Sequence, residues 1–106
     1  MNYITKKEFD LKKSEISGVV AFLNNETCSL CEMYAKQLEP FKSVTTNWTV
    51  VLLADDDDDW CLKNLITGTP TTRVYYRGLP IHEVGGLLFD LQVNKILLLL
   101  DEYCLK

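Results

Sequence analysis

The sequence predicts an α/β domain built on a mixed central sheet, and three observations lead there. Residues 19–23 (Val-Val-Ala-Phe-Leu) and 48–54 (Trp-Thr-Val-Val-Leu-Leu-Ala) are continuous apolar runs too short for buried helices. That pattern fits strands covered on both faces. Helical patterns separate these runs, so the core strands are joined through helices. Towards the end of the chain, residues 71–76 and 79–84 flank Arg77-Gly78, which reads as an antiparallel hairpin on a tight turn. The resulting order is β-α-β-α-β-α-β-β-α, a layered mixed-sheet arrangement.

The chain has 106 residues, so residues 1–106 are expected to form one domain. Hydrophobic residues make up 47% of it, enough for a core without disulfide staples. The net charge is −4 and no basic stretch stands out, which argues against nucleic-acid binding by charge. Lys6, Lys7, Glu8 and Asp10 occupy the place of a signal-peptide apolar region, and no apolar run reaches the roughly 18 residues of a membrane helix. These features predict a chain with no secretory leader and no membrane span.

Residues 2–4 suit a short edge strand. Thr5 with Glu8 three positions on has the capping-box spacing, and the helix it starts should be anchored by Phe9. Ser17-Gly18 breaks that helix before the first core strand. The second helix follows Cys28 and is expected to bury Met33 and Phe41, with Pro40 ending or kinking it. Residues 43–47 are a polar connection. The aspartate run 55–59 reads as a solvated loop with one Asp capping the next helix. That helix, about 60–66, should turn Cys61 and Leu65 inward, Cys61 acting as a small core residue. A proline opening the strand at 71 fits a cis bond or an edge position. His82 alternates with apolar neighbours and is expected at the surface. The last helix should run from Leu87 to about Tyr103, with the apolar run 97–100 partly exposed.

Two cysteines two residues apart, Cys28 and Cys31, stand where the first core strand hands over to a helix. A helix N-terminus offers free N–H groups and the positive end of the macrodipole, both of which favour thiolate over thiol. The pair is therefore expected to be redox-active. Two structural disulfides would suit a secreted chain with little core, and zinc would need a second closely spaced Cys/His pair. Only Cys61, Cys104 and His82 remain, widely scattered, so no metal is expected.

With these residues in place the chain resembles the thioredoxin family over almost its whole length. A buried strand runs into Cys28-Ser-Leu-Cys31, a second core strand ends in Asp55, Gly68-Thr-Pro-Thr71 matches the family's cis-proline loop, and Val84-Gly-Gly86 precedes the last helix. The resemblance implies the thioredoxin fold, a mixed central sheet with helices on both faces. It implies that Cys28 attacks a substrate disulfide and Cys31 resolves the mixed disulfide, with no bound cofactor beyond the Cys28–Cys31 redox disulfide. Thr27, Thr69, Pro70, Gly85 and Gly86 would line the groove for an extended substrate segment.

The departures are as specific. Thr27 stands where thioredoxins carry Trp, and Ser29-Leu30 replaces Gly-Pro. The family's buried proton-transfer Asp aligns with Phe22 and its Lys with Val51. Glu26 and Glu32 bring negative charge, which opposes a thiolate. Thr69 before the proline, and Gly85-Gly86 followed by Asp90-Leu91, are similar to glutaredoxins. Those proteins, however, usually lack an N-terminal strand-helix unit. The implied partners are disulfide-containing proteins, with thioredoxin reductase or glutathione as electron donor. A monomer in the bacterial cytoplasm is expected, and a phage source also fits so compact and divergent a member. A protein-binding module that keeps the fold without redox cycling, or a redox sensor, is the alternative.

Overall fold

In a computed structural model of the chain, the described residues are 2–24, 26, 28–38, 48–88 and 90–104. Among the described residues five strands form one sheet in the order β1-β3-β2-β4-β5. They are β1 (Asn2–Ile4), β2 (Gly18–Asn24), β3 (Trp48–Leu53), β4 (Thr71–Tyr76) and β5 (Leu79–Gly85). β3 runs parallel to both β1 and β2, while β4 is antiparallel to β2 and to β5. The helices are α1 (Lys6–Lys12), α2 (Ser29–Leu38), α3 (Asp58–Lys63) and α4 (Asp90–Cys104). A 3-10 turn at Lys13–Glu15 follows α1. The mixed sheet and the element order are those read from the sequence.

Local signals explain most boundaries. The Thr5 hydroxyl accepts from the Glu8 N–H while the Glu8 carboxylate accepts from the Thr5 N–H, a complete capping box that fixes the start of α1. Arg77 (φ 51°) and Gly78 (φ 81°) both lie in the left-handed region, as a two-residue hairpin turn of the primed type requires. Gly78 could be no other residue, because a Cβ there would stand 2.6 Å from the Ser14 backbone. α4 begins at Asp90, later than the sequence suggests, because Leu87 and Leu88 leave the strand in irregular backbone with Leu88 buried.

The sheet separates two cores. Val19, Ala21, Leu23 and Val50 meet Cys31 and Tyr34 of α2 and Val93 and Ile96 of α4. On the other face Val20, Phe22, Val51 and Tyr75 meet Phe9 of α1 and Ile66, with Trp60 and Cys61 of α3 half-buried against them. Phe9 anchors this second core through edge-to-face contacts with Phe22, Trp60 and Tyr75.

Three expectations fail, each for a physical reason. Met33 is 56% exposed: α2 turns inward along Cys31 and Tyr34, three residues apart, and Met33 falls outside that stripe. Leu65 is 76% exposed because α3 stops at Lys63 and Leu65 then takes the left-handed conformation (φ 59°). Asp57 occupies the N-cap position of α3 but caps nothing with its side chain; it turns back to accept from the Ala54 N–H at 2.7 Å and from Lys6. The expectations for Pro40 and Phe41 fall outside the described residues.

Candidate dithiol site

Cys28 ends the loop that leaves β2, and α2 starts at the next residue. Its carbonyl and its Sγ both stand 3.2 Å from the backbone nitrogen of Cys31, so Cys28 closes the first turn of α2 with a sulfur where a cap usually places an oxygen. The two cysteines form a disulfide with Cα atoms 5.3 Å apart. Burial separates them: Cys31 is 5% exposed among the side chains of the first core, while Cys28 is only half-buried at its edge. The Asn24 N–H points at the Cys31 Sγ from 3.4 Å. The outer sulfur is thus reachable by another molecule and the inner one is reached through it.

The Cys28 Sγ also stands 3.6 Å from the carbonyl oxygen of Thr69. The Thr69–Pro70 peptide bond is cis and Pro70 is buried. The Pro70 carbonyl accepts from the Gly86 N–H at 2.8 Å, which brings the glycine pair beside the proline loop. A Cβ at Gly85 or Gly86 would meet nothing within 4 Å, so the surface beside them is open, and Gly86 needs its glycine for φ 79°. The fold therefore gathers Cys28, Cys31, Thr69, Pro70, Gly85 and Gly86 at one end of the sheet. Thr27 lies outside the described residues.

Two acidic residues near the pair, Glu26 and Asp55, are tied into one network. The Asn24 side-chain amide donates to Asp55 at 3.1 Å, the Asn24 Oδ1 accepts from the Glu26 N–H at 2.7 Å, and the Glu26 carboxylate accepts from the Asp55 N–H at 3.0 Å. This small network ties the loop before Cys28 to the end of β3. Glu32 is exposed on α2. The positions aligned with the family's buried Asp and Lys hold Phe22 and Val51, both fully buried in the second core.

One pair near the site escapes the sequence reading. Tyr34, fully buried three residues after Cys31, shares a hydrogen bond with the Thr72 hydroxyl of β4. Burial pushes the Tyr34 phenol up to about 12, against the pull of the Thr72 hydrogen bond. It is therefore a neutral hydroxyl at any physiological pH and not a base. The i,i+3 spacing to Cys31 was the available signal. Cys61 lines a pocket of about 180 Å³ with Asn24, Asp55 and Thr69, but burial, and then Asp57 and Asp58, raise its thiol pKa, so it is the poorer nucleophile. Among the described residues no three His, Cys, Asp or Glu side chains stand together to hold a metal ion.

Chemically the arrangement is a dithiol–disulfide couple: an accessible sulfur at a helix start, a buried partner within one turn, and a backbone edge alongside. In its fold the chain is similar to solved thioredoxins. Thioredoxin f2 of Chlamydomonas reinhardtii superposes with a TM-score of 0.73 at 15% identity, covering 96% of this chain and 94% of that one. Thioredoxin f from spinach chloroplast gives 0.74 at 15% identity, covering 92% and 90%. Plasmodium falciparum thioredoxin gives 0.65 at 23% identity, covering 97% and 98%. No protein-family model and no curated protein sequence matches the chain. The chain has the thioredoxin fold with a C-x-x-C pair in disulfide contact, and the divergent thioredoxin-like reading of the sequence fits it.

Proposed function

We propose that the chain is a thiol–disulfide oxidoreductase acting on protein disulfides. The observation that carries this reading is the half-buried Cys28 at the start of α2, disulfide-bonded to buried Cys31 and set against the Thr69-Pro70 loop. In the reducing direction, the Cys28 thiolate attacks one sulfur of a substrate disulfide, and the other substrate sulfur leaves as a thiolate. Cys31 then attacks the Cys28 sulfur, releasing the second substrate thiolate and leaving the Cys28–Cys31 disulfide. Two electrons pass from the dithiol to the substrate, and thioredoxin reductase or glutathione would return them.

Cys28 suits the nucleophile because it is the less buried of the two cysteines and the first turn of α2 stabilises negative charge there by roughly 0.3–1 kcal/mol. An extended substrate segment would lie along Thr69 and Pro70, with the open surface at Gly85 and Gly86 giving it room. No bound cofactor is needed for this exchange, and a monomer in a reducing bacterial or phage-infected cytoplasm suits it. The test is insulin disulfide reduction with dithiothreitol. The intact chain should accelerate it and Cys28→Ser should fall to the rate without protein; equal rates would sink the proposal.

A second reading is favoured by Phe22 and Val51. Without a buried acid and lysine beside the dithiol, the same surface could serve as a protein-binding module in which cycling is dispensable. Partners captured equally by the intact chain and by a Cys28→Ser/Cys31→Ser double variant would favour that reading; loss of all of them would count against it.

A further inference from the structure

The face of the sheet opposite the dithiol carries a pocket of about 390 Å³ between α3, the 3-10 turn and the hairpin. That size falls within the roughly 300–1,000 Å³ of small-molecule sites. Its polar lining contains three cations, Lys13, Lys63 and Arg73, against one carboxylate, Glu83, in a chain whose net charge is −4. Arg73 is only 5% exposed. Its Nε donates to the Glu83 carboxylate at 2.7 Å, its NH1 to the Asn64 carbonyl and the Tyr75 hydroxyl at 3.0 Å each, and its NH2 to the Leu65 carbonyl at 3.2 Å. The guanidinium is therefore a rigid wall and not a ligand-gripping group. Glu83 is bound to it, so the excess positive charge of the pocket comes from the two lysines.

Lys13 is held over the pocket by the Asn64 side-chain oxygen at 3.3 Å, which leaves its other N–H donors for a guest. The remaining wall is Leu65, turned outward by its left-handed backbone, and Pro80, which supply apolar surface, together with Tyr75 and His82 of the hairpin strands. Leu65 is the left-handed residue of the cap that ends α3, its N–H donating to the Leu62 carbonyl at 3.2 Å and the Ile66 N–H to the Cys61 carbonyl at 2.8 Å, and its own carbonyl accepts from Arg73, which holds its exposed side chain at the rim of the pocket. We infer that this pocket binds a small organic phosphate monoester, the dianionic head on Lys13 and Lys63 and the carbon skeleton against Leu65 and Pro80. An excess of two positive charges matches a phosphate monoester, which carries about −1.5 to −2 at neutral pH, better than a single carboxylate.

The experiment follows backbone amide shifts of the full, disulfide-bonded chain at constant ionic strength while phenyl phosphate, inorganic phosphate or benzoate is added. Saturable shifts are expected at Lys13, Asn64, Leu65 and Arg73, with phenyl phosphate bound at least roughly fivefold more tightly than inorganic phosphate or benzoate. Lys13→Ala/Lys63→Ala should weaken phenyl phosphate roughly tenfold or more while leaving insulin reduction unchanged. Shifts that do not saturate, or an affinity the double variant keeps, would overturn the site. Equal affinity for inorganic phosphate would overturn its organic part, and equal affinity for benzoate its dianionic part. Because the pocket lies across the sheet from Cys28, none of these results decides the redox reading, which rests on Cys28→Ser.

Discussion

The two faces of the sheet are held by different chemistry. On the dithiol face the inner cysteine sits among aliphatic side chains, and the polar bond crossing that core is a neutral one, Tyr34 to Thr72. On the opposite face a full positive charge is buried. Arg73 lies under the hairpin, stacked 5.3 Å from the Phe22 ring and 5.9 Å from the Tyr75 ring, with Glu83 as counter-ion. Thioredoxins place a buried carboxylate at the Phe22 position, where it serves proton transfer. Here that position holds a phenyl ring and the buried charge belongs to a cation bonded to carbonyls and a carboxylate. Among the described residues the buried charge therefore lies across the sheet from the cysteine pair.

The largest effect that would break this contrast is at Arg73. Arg73→Ala strips partners from the Asn64 and Leu65 carbonyls and the Tyr75 hydroxyl and leaves Glu83 unpaired. Such losses in a buried network cost about 3 kcal/mol. A urea-denaturation midpoint should show it, while insulin reduction by the folded variant should keep its rate. A variant that is fully stable would remove Arg73 as the support of that face.

On the dithiol face the expected effect is smaller and depends on pH. Tyr34→Phe orphans the Thr72 hydroxyl and should cost about 1–2 kcal/mol. The Tyr34 phenol rises from 10.0 to about 12 on folding, so the folded chain holds that proton more tightly than the unfolded one. The stability this contributes is complete below pH 10 and is lost as pH climbs through 12. Denaturation midpoints of the parent should therefore fall between pH 10 and 12, and those of Tyr34→Phe should fall less, with Tyr75, whose phenol is also raised, supplying the remainder. Parallel curves for the two proteins would show that Tyr34 ionises without coupling to folding.

The smallest effect belongs to Glu83, whose side chain is 48% exposed. Glu83→Gln removes the counter-charge but keeps an acceptor for Arg73, and water screens what is lost. It should cost about 1 kcal/mol or less in the same urea experiment, and less still at high salt. A loss as large as that of Arg73→Ala would mean the ion pair, and not the carbonyl bonds, holds the guanidinium.

The sheet was legible in the sequence because its core strands are apolar on both sides and its turns carry their own chemistry. Arg77-Gly78 and the Thr5–Glu8 capping box act within a few residues. The meeting of Cys28 with Thr69 was legible through the likeness to thioredoxins, since nothing local joins residues so far apart. What stayed hidden depends on partners elsewhere in the chain. Arg73 sits mid-strand, where burial is unexpected for a cation until Glu83 and two carbonyls are brought to it. Leu65 looks like a core residue until α3 ends early and its carbonyl turns to Arg73. Asp57 looks like a helix cap until Lys6 draws its carboxylate away. Met33 is as apolar as its buried neighbours, but helix phase, fixed by Cys31 and Tyr34, decides which of them turns inward.

The unequal roles proposed for the two sulfurs are tested most directly by trapping. Cys31→Ser is mixed with a disulfide-containing protein, quenched with acid and mapped by mass spectrometry without reductant. A mixed disulfide on Cys28, released by dithiothreitol and absent from Cys28→Ser, is the result this account predicts. An adduct on Cys61 instead, or none in a variant that remains folded, would contradict it.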